Sequence, residues 1–415
     1  MFDIAAAGLV ITALLAYINH RFLKLPMTIG VMSIAMLLSL SLVGLERIGF
    51  RSLLDYEAKA LRSIDFPELL MQGMLSLLLF AGALHVDLTG LRNFRWQIGM
   101  LAVIGTALST MLIGGGLYLL LPMSGYAVSL GPCLLFGALI SPTDPIAVIN
   151  MLRSARGPES LSTLIAGESL FNDGVGVVLF TLIATITLTG RSPTVSNTLY
   201  LFSREVLGGL AFGALLGLGT RSLLKRIDSY QEEVLLTLAA VVGGYTLCNH
   251  LHTSGPLATV VAGVLIGNRG QALSATAVVH SPLNLFWELL DAVLNAVLFV
   301  LIGLEVILIP WGKAVMVACL SAILICLAAR WLSVGAPAHL LIRGLPRRSG
   351  LLLTWGGLRG GISVALALSL PSGEHRDLLL SMTYSVVVVS ILAQGLSFGR
   401  LARRCLEGAS ERGSE

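Results

Sequence analysis

The sequence has few charged residues. Only 12% of its 415 residues are Asp, Glu, Lys or Arg, and 55% are hydrophobic, whereas soluble domains carry about 25% charged residues. This shortage excludes an ordinary soluble protein and indicates a polytopic membrane protein. It also leaves no stretch for a separate soluble domain.

Cysteine and histidine are also scarce and scattered. The five cysteines form no C-x-x-C pair and show no metal-ligand spacing. A zinc site or a disulfide framework would require such patterns. The seven histidines are dispersed along the chain, so spacing assigns none of them a role. We therefore expect the cysteines to be buried small hydrophobes, and we expect no cofactor.

Long apolar runs make up most of the chain. A membrane-spanning helix needs about 17–25 apolar residues, and about thirteen such runs can be counted, joined mostly by short polar links. They cover residues 3–19, 27–44, 67–88, 98–121, 132–152, 161–187, 205–220, 233–252, 255–268, 284–309, 313–342, 350–371 and 377–398. We number these spans 1 to 13 and predict an all-α membrane protein.

Positive charge falls mainly on one side of the predicted membrane. With the amino terminus outside, about seventeen Lys and Arg lie in inner loops and the tail, against about eight outside, which agrees with the positive-inside rule. We predict a multi-pass cell-membrane protein with a cytoplasmic carboxyl terminus. The net charge of +4 reflects this topology and does not indicate nucleic-acid binding. Half of the outer basic residues lie in 45–65, which has the pattern of an interfacial segment.

Two spans contain helix-breaking sequences. Span 5 contains Ser-Pro-Thr-Asp-Pro at 141–145, where two prolines remove backbone donors and clash with the preceding turn. Span 12 contains Gly-Gly-Leu-Arg-Gly-Gly at 356–361. Because unwound backbone within a membrane survives only where it is buried in protein or lines a cavity, both breaks should face the interior.

The two broken spans run in opposite directions under the predicted topology, as do their neighbours. This predicts inverted repeats with crossed broken helices, the arrangement of secondary transporters that bind their ions near the midplane. Exposed half-helix ends carry partial charges, which Asp144 and Arg359 are placed to neutralise. For Asp144 a direct or water-mediated ion contact remains equally open, whereas for Arg359 neutralisation is favoured.

Span 6 contains two carboxylates in Glu-Ser-Leu-Phe-Asn-Asp at 168–173. A charge at mid-membrane costs roughly 2.5–3.5 kcal/mol and persists mainly where it lines an ion or proton path. On a helix Glu168 lies beside Asn172, and Ser169 beside Asp173, because each pair is four residues apart. This oxygen-rich face suits an alkali cation, and Thr143 adds an oxygen from the facing break.

These carboxylates predict an exchange mechanism. Burial favours a neutral carboxylate and a nearby cation favours a charged one, so one buried group can hold either a proton or a metal ion. We assign this role to Asp173 and expect Glu168 to pair with Arg330 in span 11. That pairing leaves one titrating carboxylate and predicts electroneutral, one-for-one exchange. Five other intramembrane polar residues are not expected to bind the ion: Asp87, Glu288, Asp291, Asn295 and Glu305.

Five motifs follow one another along nearly the whole chain. They are Ser-Pro-Thr-Asp-Pro (141–145), Gly-Glu-Ser-Leu-Phe-Asn-Asp-Gly (167–174), Phe-Val-Leu-Ile-Gly-Leu (299–304), Ala-Arg-Trp-Leu-Ser-Val (329–334) and Gly-Gly-Leu-Arg-Gly-Gly (356–361). In this combination the chain resembles the monovalent cation:proton antiporters, in the prokaryotic sodium/proton branch related to animal sodium/proton exchangers.

The resemblance implies a thirteen-helix homodimer that works by elevator-type alternating access. Residues 1–399 would form one transporter unit with a short cytoplasmic tail at 400–415. The mobile core would comprise about 98–187 and 313–398, and the dimerisation scaffold about 1–88 and 205–309. The carboxyl tail of this chain, Ser397 to Glu415, is short, whereas animal relatives carry long regulatory tails. Regulation through the tail is therefore not expected.

The resemblance also implies site roles. It implies cation coordination around Asp173, Glu168, Ser169 and Thr143, supported by Asp144 and Asn172, with Arg330 paired to Glu168 and Arg359 as a further membrane arginine. The family's electroneutral branch has Asn-Asp where this chain has residues 172–173, and its electrogenic branch has Asp-Asp.

We therefore predict a sodium (or lithium)/proton antiporter, which is not an enzyme. A potassium/proton antiporter on the same fold is the first alternative, because oxygen ligands alone do not fix ion size. A sodium-coupled symporter of an organic solute is the second. It would need additional polar or aromatic groups near the midplane, and few occur around 143 and 173.

Overall fold

Helices occupy each predicted span over the residues that the computed structural model describes. These residues are 2–46, 74–189, 195–227, 229–268, 282–305, 312–342, 346, 348–371, 373 and 375–410. Within them the chain is helical apart from short links and one isolated pair of extended residues, Asp144 and Leu358. The predicted all-α fold class is confirmed, whereas the interfacial segment predicted at 45–65 lies almost wholly outside the described residues.

Twelve helices form the chain up to residue 267 in the described ranges. They are α1 (Phe2–Ile18), α2 (Met27–Glu46), α3 (Leu75–Leu84), α4 (Leu88–Asn93), α5 (Arg95–Gly99), α6 (Thr106–Leu120), α7 (Leu130–Ile140), α8 (Ile146–Ser154), α9 (Glu159–Thr189), α10 (Val195–Leu224), α11 (Tyr230–Leu251) and α12 (Gly255–Gly267). A π-helical turn, Met100–Gly105, joins α5 to α6, and another, Asn19–Leu23, follows α1.

Seven further helices complete the described chain. They are α13 (Pro282–Glu305), α14 (Lys313–Arg330), α15 (Ala336–Leu341), α16 (Ser349–Trp355), α17 (Gly361–Leu368), α18 (Arg376–Val389) and α19 (Leu396–Ser410). Two π-helical turns connect members of this set, Trp331–Gly335 between α14 and α15 and Ser390–Gly395 between α18 and α19. Such turns change the direction in which side chains point and are frequent at functional sites.

Eight continuous helical runs in the described residues are long and apolar enough to cross a membrane. Four further apolar helices are shorter, among them α3, α7 and α12. Helices this short cannot cross the hydrocarbon core alone. They complete a crossing only together with a following segment or with unwound backbone that other parts of the protein cover. The count of about thirteen crossings therefore stays a prediction.

Both predicted helix breaks are present. Helix α7 ends at Ile140 and α8 begins at Ile146, while α16 ends at Trp355 and α17 begins at Gly361. The two unwound stretches touch, because the backbone N–H of Asp144 donates to the carbonyl oxygen of Leu358 at 2.7 Å. The crossed broken helices predicted from the proline and glycine motifs are confirmed.

Close backbone packing joins α10 to α12. A Cβ atom at Gly213 of α10 would lie 2.5 Å from the carbonyl oxygen of Ala258, and one at Gly209 would lie 2.6 Å from that of Ser254. Small residues permit such approach between membrane helices, where van der Waals packing replaces the hydrophobic effect. Helix α12 also packs on α3, and α13 packs on α2, so these helices form one group.

A second group of helices surrounds the two breaks. Helix α7 packs against α6 and α9, while α14 packs against α6 and α18. Helix α17 contacts both α7 and α18. This packing brings the polar segment of α9 and the end of α14 to the same unwound backbone.

Candidate functional site

The polar residues of α9 lie on its buried face beside the first break. Glu168, Ser169, Asn172 and Asp173 are each at most 5% exposed. The spacing of four residues places them on adjacent turns. The helix runs without interruption from Glu159 to Thr189, so the predicted oxygen-rich face is present.

Thr143, in the unwound stretch between α7 and α8, is bound to this face three times. Its Oγ1 lies 3.0 Å from Oγ of Ser169 and accepts a hydrogen bond from Nδ2 of Asn172 at 2.9 Å. Its backbone N–H donates to Oδ1 of Asn172 at 3.3 Å. The side chain of Asn172 therefore holds the first break against α9.

Glu168 and Arg330 form a buried bidentate ion pair. The two terminal nitrogens of Arg330 donate to Oε1 and Oε2 of Glu168 at 2.7 and 2.9 Å, in the fork geometry that suits a carboxylate. Oε1 also accepts from Nδ2 of Asn172 at 2.9 Å. Both oxygens of Glu168 are thus engaged, and its charge is balanced within the protein.

Asp173 differs from Glu168 in having an oxygen without a partner. Its side chain is 5% exposed, and among the described residues no group hydrogen-bonds to its buried Oδ1. The carboxylate lies beside the backbone N–H of Thr143 and within electrostatic range of Asp144, Glu168 and Arg359. Buried polar atoms normally have a hydrogen-bond partner, so this oxygen is an unsatisfied acceptor beside the first break.

Asp144 and Arg359 lie at half-helix ends. Oδ1 of Asp144 accepts from the backbone N–H of Ile146 at 2.9 Å, at the start of α8. A terminal nitrogen of Arg359 donates to the carbonyl oxygens of Ser141 at 2.5 Å and Pro142 at 3.3 Å, just beyond α7. These positions match the signs of the helix dipoles. A direct ion contact by Asp144 stays a prediction.

Sequence reasoning missed the role of Gly357. A Cβ atom at this position would collide with Nε of Arg330 and lie 3.0 Å from its Cζ. The glycine thus leaves room for the guanidinium that binds Glu168. Sequence reasoning treated the glycine-rich motif only as a helix breaker, and no local signal indicates that a side chain 27 positions away in the chain packs on it.

The other intramembrane polar residues have local partners or lie elsewhere. Asp291 of α13 accepts from Nδ2 of Asn295 at 3.0 Å, and Glu288 is exposed. Oδ2 of Asp87 accepts from the backbone N–H of Gly90 at 2.6 Å and caps α4. Glu305 ends α13. None of the four carboxylates joins the hydrogen-bond network described above for Thr143, Glu168 and Asn172.

Comparison with known proteins identifies the family. The family model described as sodium/hydrogen exchanger, transmembrane, matches residues 10–404. The chain belongs to the sodium/hydrogen exchanger family. This exchanger is 50% identical over 415 residues to the Na(+)/H(+) antiporter NhaP of Pseudomonas aeruginosa, with 98% of each chain covered. It is 34% identical over 399 residues to the Na(+)/H(+) antiporter NhaH of Halobacillus dabanensis, covering 92% of this chain and 96% of that protein.

The fold of the exchanger is similar to a solved structure. The structure of the sodium proton antiporter MjNhaP1 from Methanocaldococcus jannaschii at pH 8 matches with a TM-score of 0.75, covering 97% of each chain at 19% sequence identity. Similarity at this identity supports the fold. The family predicted from the five sequence motifs is confirmed.

Proposed function

We propose that this exchanger is an electroneutral antiporter that exchanges one sodium ion for one proton at Asp173. The observation that carries the proposal is the contrast between two buried carboxylates. Glu168 is neutralised by Arg330 through both oxygens, whereas Oδ1 of Asp173 has no partner among the described residues. The names of the similar proteins, both Na(+)/H(+) antiporters, support sodium and protons as the exchanged ions.

The charges around the breaks support one-for-one exchange. Three carboxylates, on Glu168, Asp144 and Asp173, face two guanidinium groups, on Arg330 and Arg359. When all are ionised the site has one negative charge in excess. A single proton or a single monovalent cation balances it, so either cargo gives the same neutral site. Since an uncompensated charge is costly inside a membrane, the site moves readily only when loaded.

The ion ligands follow from the same contacts. We assign Asp173, with the hydroxyl oxygens of Thr143 and Ser169, as the groups nearest the cation, because hard cations prefer oxygen ligands. Asn172 fixes Thr143 by hydrogen bonds in both directions. Glu168 contributes to exchange through its pair with Arg330, and Asp144 supports the site from the start of α8.

The proposal includes alternating access by movement of the helices around the breaks. The helices around the breaks would move as one rigid core, in an elevator-type motion, relative to the other group of helices. That other group contains α2, α3, α10, α12 and α13 and would also form the homodimer contact. The packing of each group mainly within itself supports this division. The amino terminus would lie outside the cell membrane and the carboxyl terminus in the cytoplasm, as the distribution of Lys and Arg indicates.

The test uses proteoliposomes with a pH-sensitive dye inside. Proton movement is recorded after addition of sodium, lithium or potassium, with the membrane voltage set at two values. We expect sodium-driven exchange in the native protein, none in Asp173→Asn, and native exchange in the control Glu288→Gln, whose carboxylate is exposed and outside the site. Lithium is expected to replace sodium because both are small, hard cations.

Each outcome bears on one part of the proposal. Exchange that survives Asp173→Asn places the site elsewhere. Potassium as the preferred ion supports potassium/proton antiport on the same fold. Voltage dependence contradicts electroneutrality, because a cycle that moves one net charge gains about 2.3 kcal/mol per 100 mV, a factor of about fifty at equilibrium.

A further inference from the structure

A π-helical turn in span 13 lies against the break in span 12. The turn covers Ser390–Gly395, between α18 and α19. Its polar side chains Ser390 and Gln394 are 2% and 6% exposed. They are four residues apart, which is about one turn of the π-helical segment. Both side chains therefore point toward the same unwound backbone of span 12.

Each side chain satisfies one backbone group of that break. The N–H of Arg359 donates to Oγ of Ser390 at 3.0 Å, and Nε2 of Gln394 donates to the carbonyl oxygen of Trp355 at 3.2 Å. Trp355 is the last residue of α16, where carbonyl groups lack intrahelical partners. Together the two bonds fix both ends of the stretch from 355 to 359.

This stretch in turn supports the other break. The guanidinium of Arg359 binds the carbonyl oxygens of Ser141 and Pro142, and the carbonyl oxygen of Leu358 accepts from the N–H of Asp144. Thr143 lies between these anchored residues. A shift of Arg359 would therefore be passed directly to the backbone that presents Thr143 to the ion.

Two further observations place span 13 at this position. Nε1 of Trp355 donates to Oγ of Ser397 at 2.8 Å, which adds a contact from α19. A cavity of about 50 Å³ is lined by Arg330, Arg359, Ser390 and Gln394 together. The π-helical turn thus lies beside both buried arginines of the site.

We propose that Ser390 and Gln394 are positioning residues for cation exchange. They do not touch the ion. They hold the second break so that Arg359 and Leu358 keep the first break, and with it Thr143, in the ion-binding geometry. This inference rests on the proposed function, in which the cation binds between Asp173 and Thr143.

The test compares four variants in sodium-driven exchange across proteoliposomes. Since a neutral hydrogen bond contributes about 0.5–1.5 kcal/mol, Ser390→Ala and Gln394→Met should each raise the apparent KM for sodium about two- to thirteen-fold and leave kcat within about two-fold. Ser390→Thr retains a hydroxyl acceptor and should restore the native KM. Ser381→Ala is the matched control, because Ser381 is buried on α18 and donates to the carbonyl of Asp377 in its own helix.

A native KM in both Ser390→Ala and Gln394→Met overturns the inference. An equal rise in the KM for sodium in Ser390→Ala and Ser390→Thr also overturns the inference, as does the same rise in Ser381→Ala. In either case packing alone would explain the effect. Asp173→Asn, measured in parallel, separates the two proposals. If Asp173→Asn is inactive and the span-13 variants are native, only the positioning role fails; if Asp173→Asn still exchanges sodium, the proposed site and this inference fail together.

Discussion

The Glu168–Arg330 pair gives a prediction in which the loss of stability depends on whether one or both partners are replaced. The pair is bidentate, with distances of 2.7 and 2.9 Å, and the side chains of Arg330 and Glu168 are 7% and 1% exposed. Removing one partner of a buried pair costs about 3–5 kcal/mol, because the other charge remains buried without compensation. Replacing both partners by neutral groups of similar size costs far less.

We therefore expect Arg330→Met and Glu168→Gln each to destabilise the protein by about 3–5 kcal/mol. The double variant should recover most of that loss. In the double variant the new amide side chain at position 168 keeps an oxygen that can accept from Asn172, which donates to Glu168 in the native protein. The site then loses one positive and one negative charge, so its net charge is unchanged and any exchange that remains should still be electroneutral.

The assay is the midpoint of thermal unfolding of purified protein in detergent, together with sodium-driven proton movement at two voltages. Arg204→Met is the control, because Arg204 is exposed and donates to the carbonyl oxygen of Leu251, and surface substitutions usually change stability by at most about 0.5 kcal/mol. A double variant no more stable than the weaker single variant would refute the reasoning, since it would mean that the side chains stabilise the protein separately.

Three other predictions concern the same site. Asn172→Asp removes the amide that donates to Glu168 and Thr143 and adds a carboxylate, so exchange should become voltage-dependent. Voltage-independent exchange in this variant would contradict the charge assignment. In the proposed mechanism sodium and protons compete for the carboxylate of Asp173, so the apparent KM for sodium should rise as pH falls, with kcat unchanged at saturating sodium. A lower pH that reduces kcat at saturating sodium and leaves KM unchanged would contradict competition. Gly357→Ala overpacks the site against Arg330 and should lower stability by about 1–3 kcal/mol. Gly115→Ala adds a Cβ with no atom within 4 Å and should not lower the unfolding midpoint, because alanine inside a helix is more stable than glycine by about 0.5–1 kcal/mol.

The positions of both helix breaks were predictable because their causes are local. Pro142 and Pro145 act on the backbone of their own turn, and the glycines at 356–361 remove the side chains that favour a regular helix. The polar face of α9 was predictable for a similar reason, since helical spacing alone brings Glu168 and Asp173 to adjacent stripes. The shortage of charge and the length of the apolar runs determined the fold class in the same way.

Which residues contact one another within the site was harder to predict from the sequence. Inverted symmetry suggested Arg330 for Glu168, but both residues also had to point inward, and only the packing of α9 and α14 decides that. The hydrogen bonds of Asn172, the room left by Gly357 and the contacts of Ser390 and Gln394 join residues far apart in the chain. No periodicity or motif encodes such contacts.

The sequence by itself determined that the chain is an all-helical membrane protein of the exchanger family, with two broken helices and a buried carboxylate pair. Only the tertiary structure decided that Glu168 has both oxygens bound, whereas one oxygen of Asp173 has no hydrogen-bond partner among the described residues. The physical reason is that helix breaks and faces depend on neighbours in sequence, whereas hydrogen-bond satisfaction depends on which distant groups the packing brings within about 3 Å.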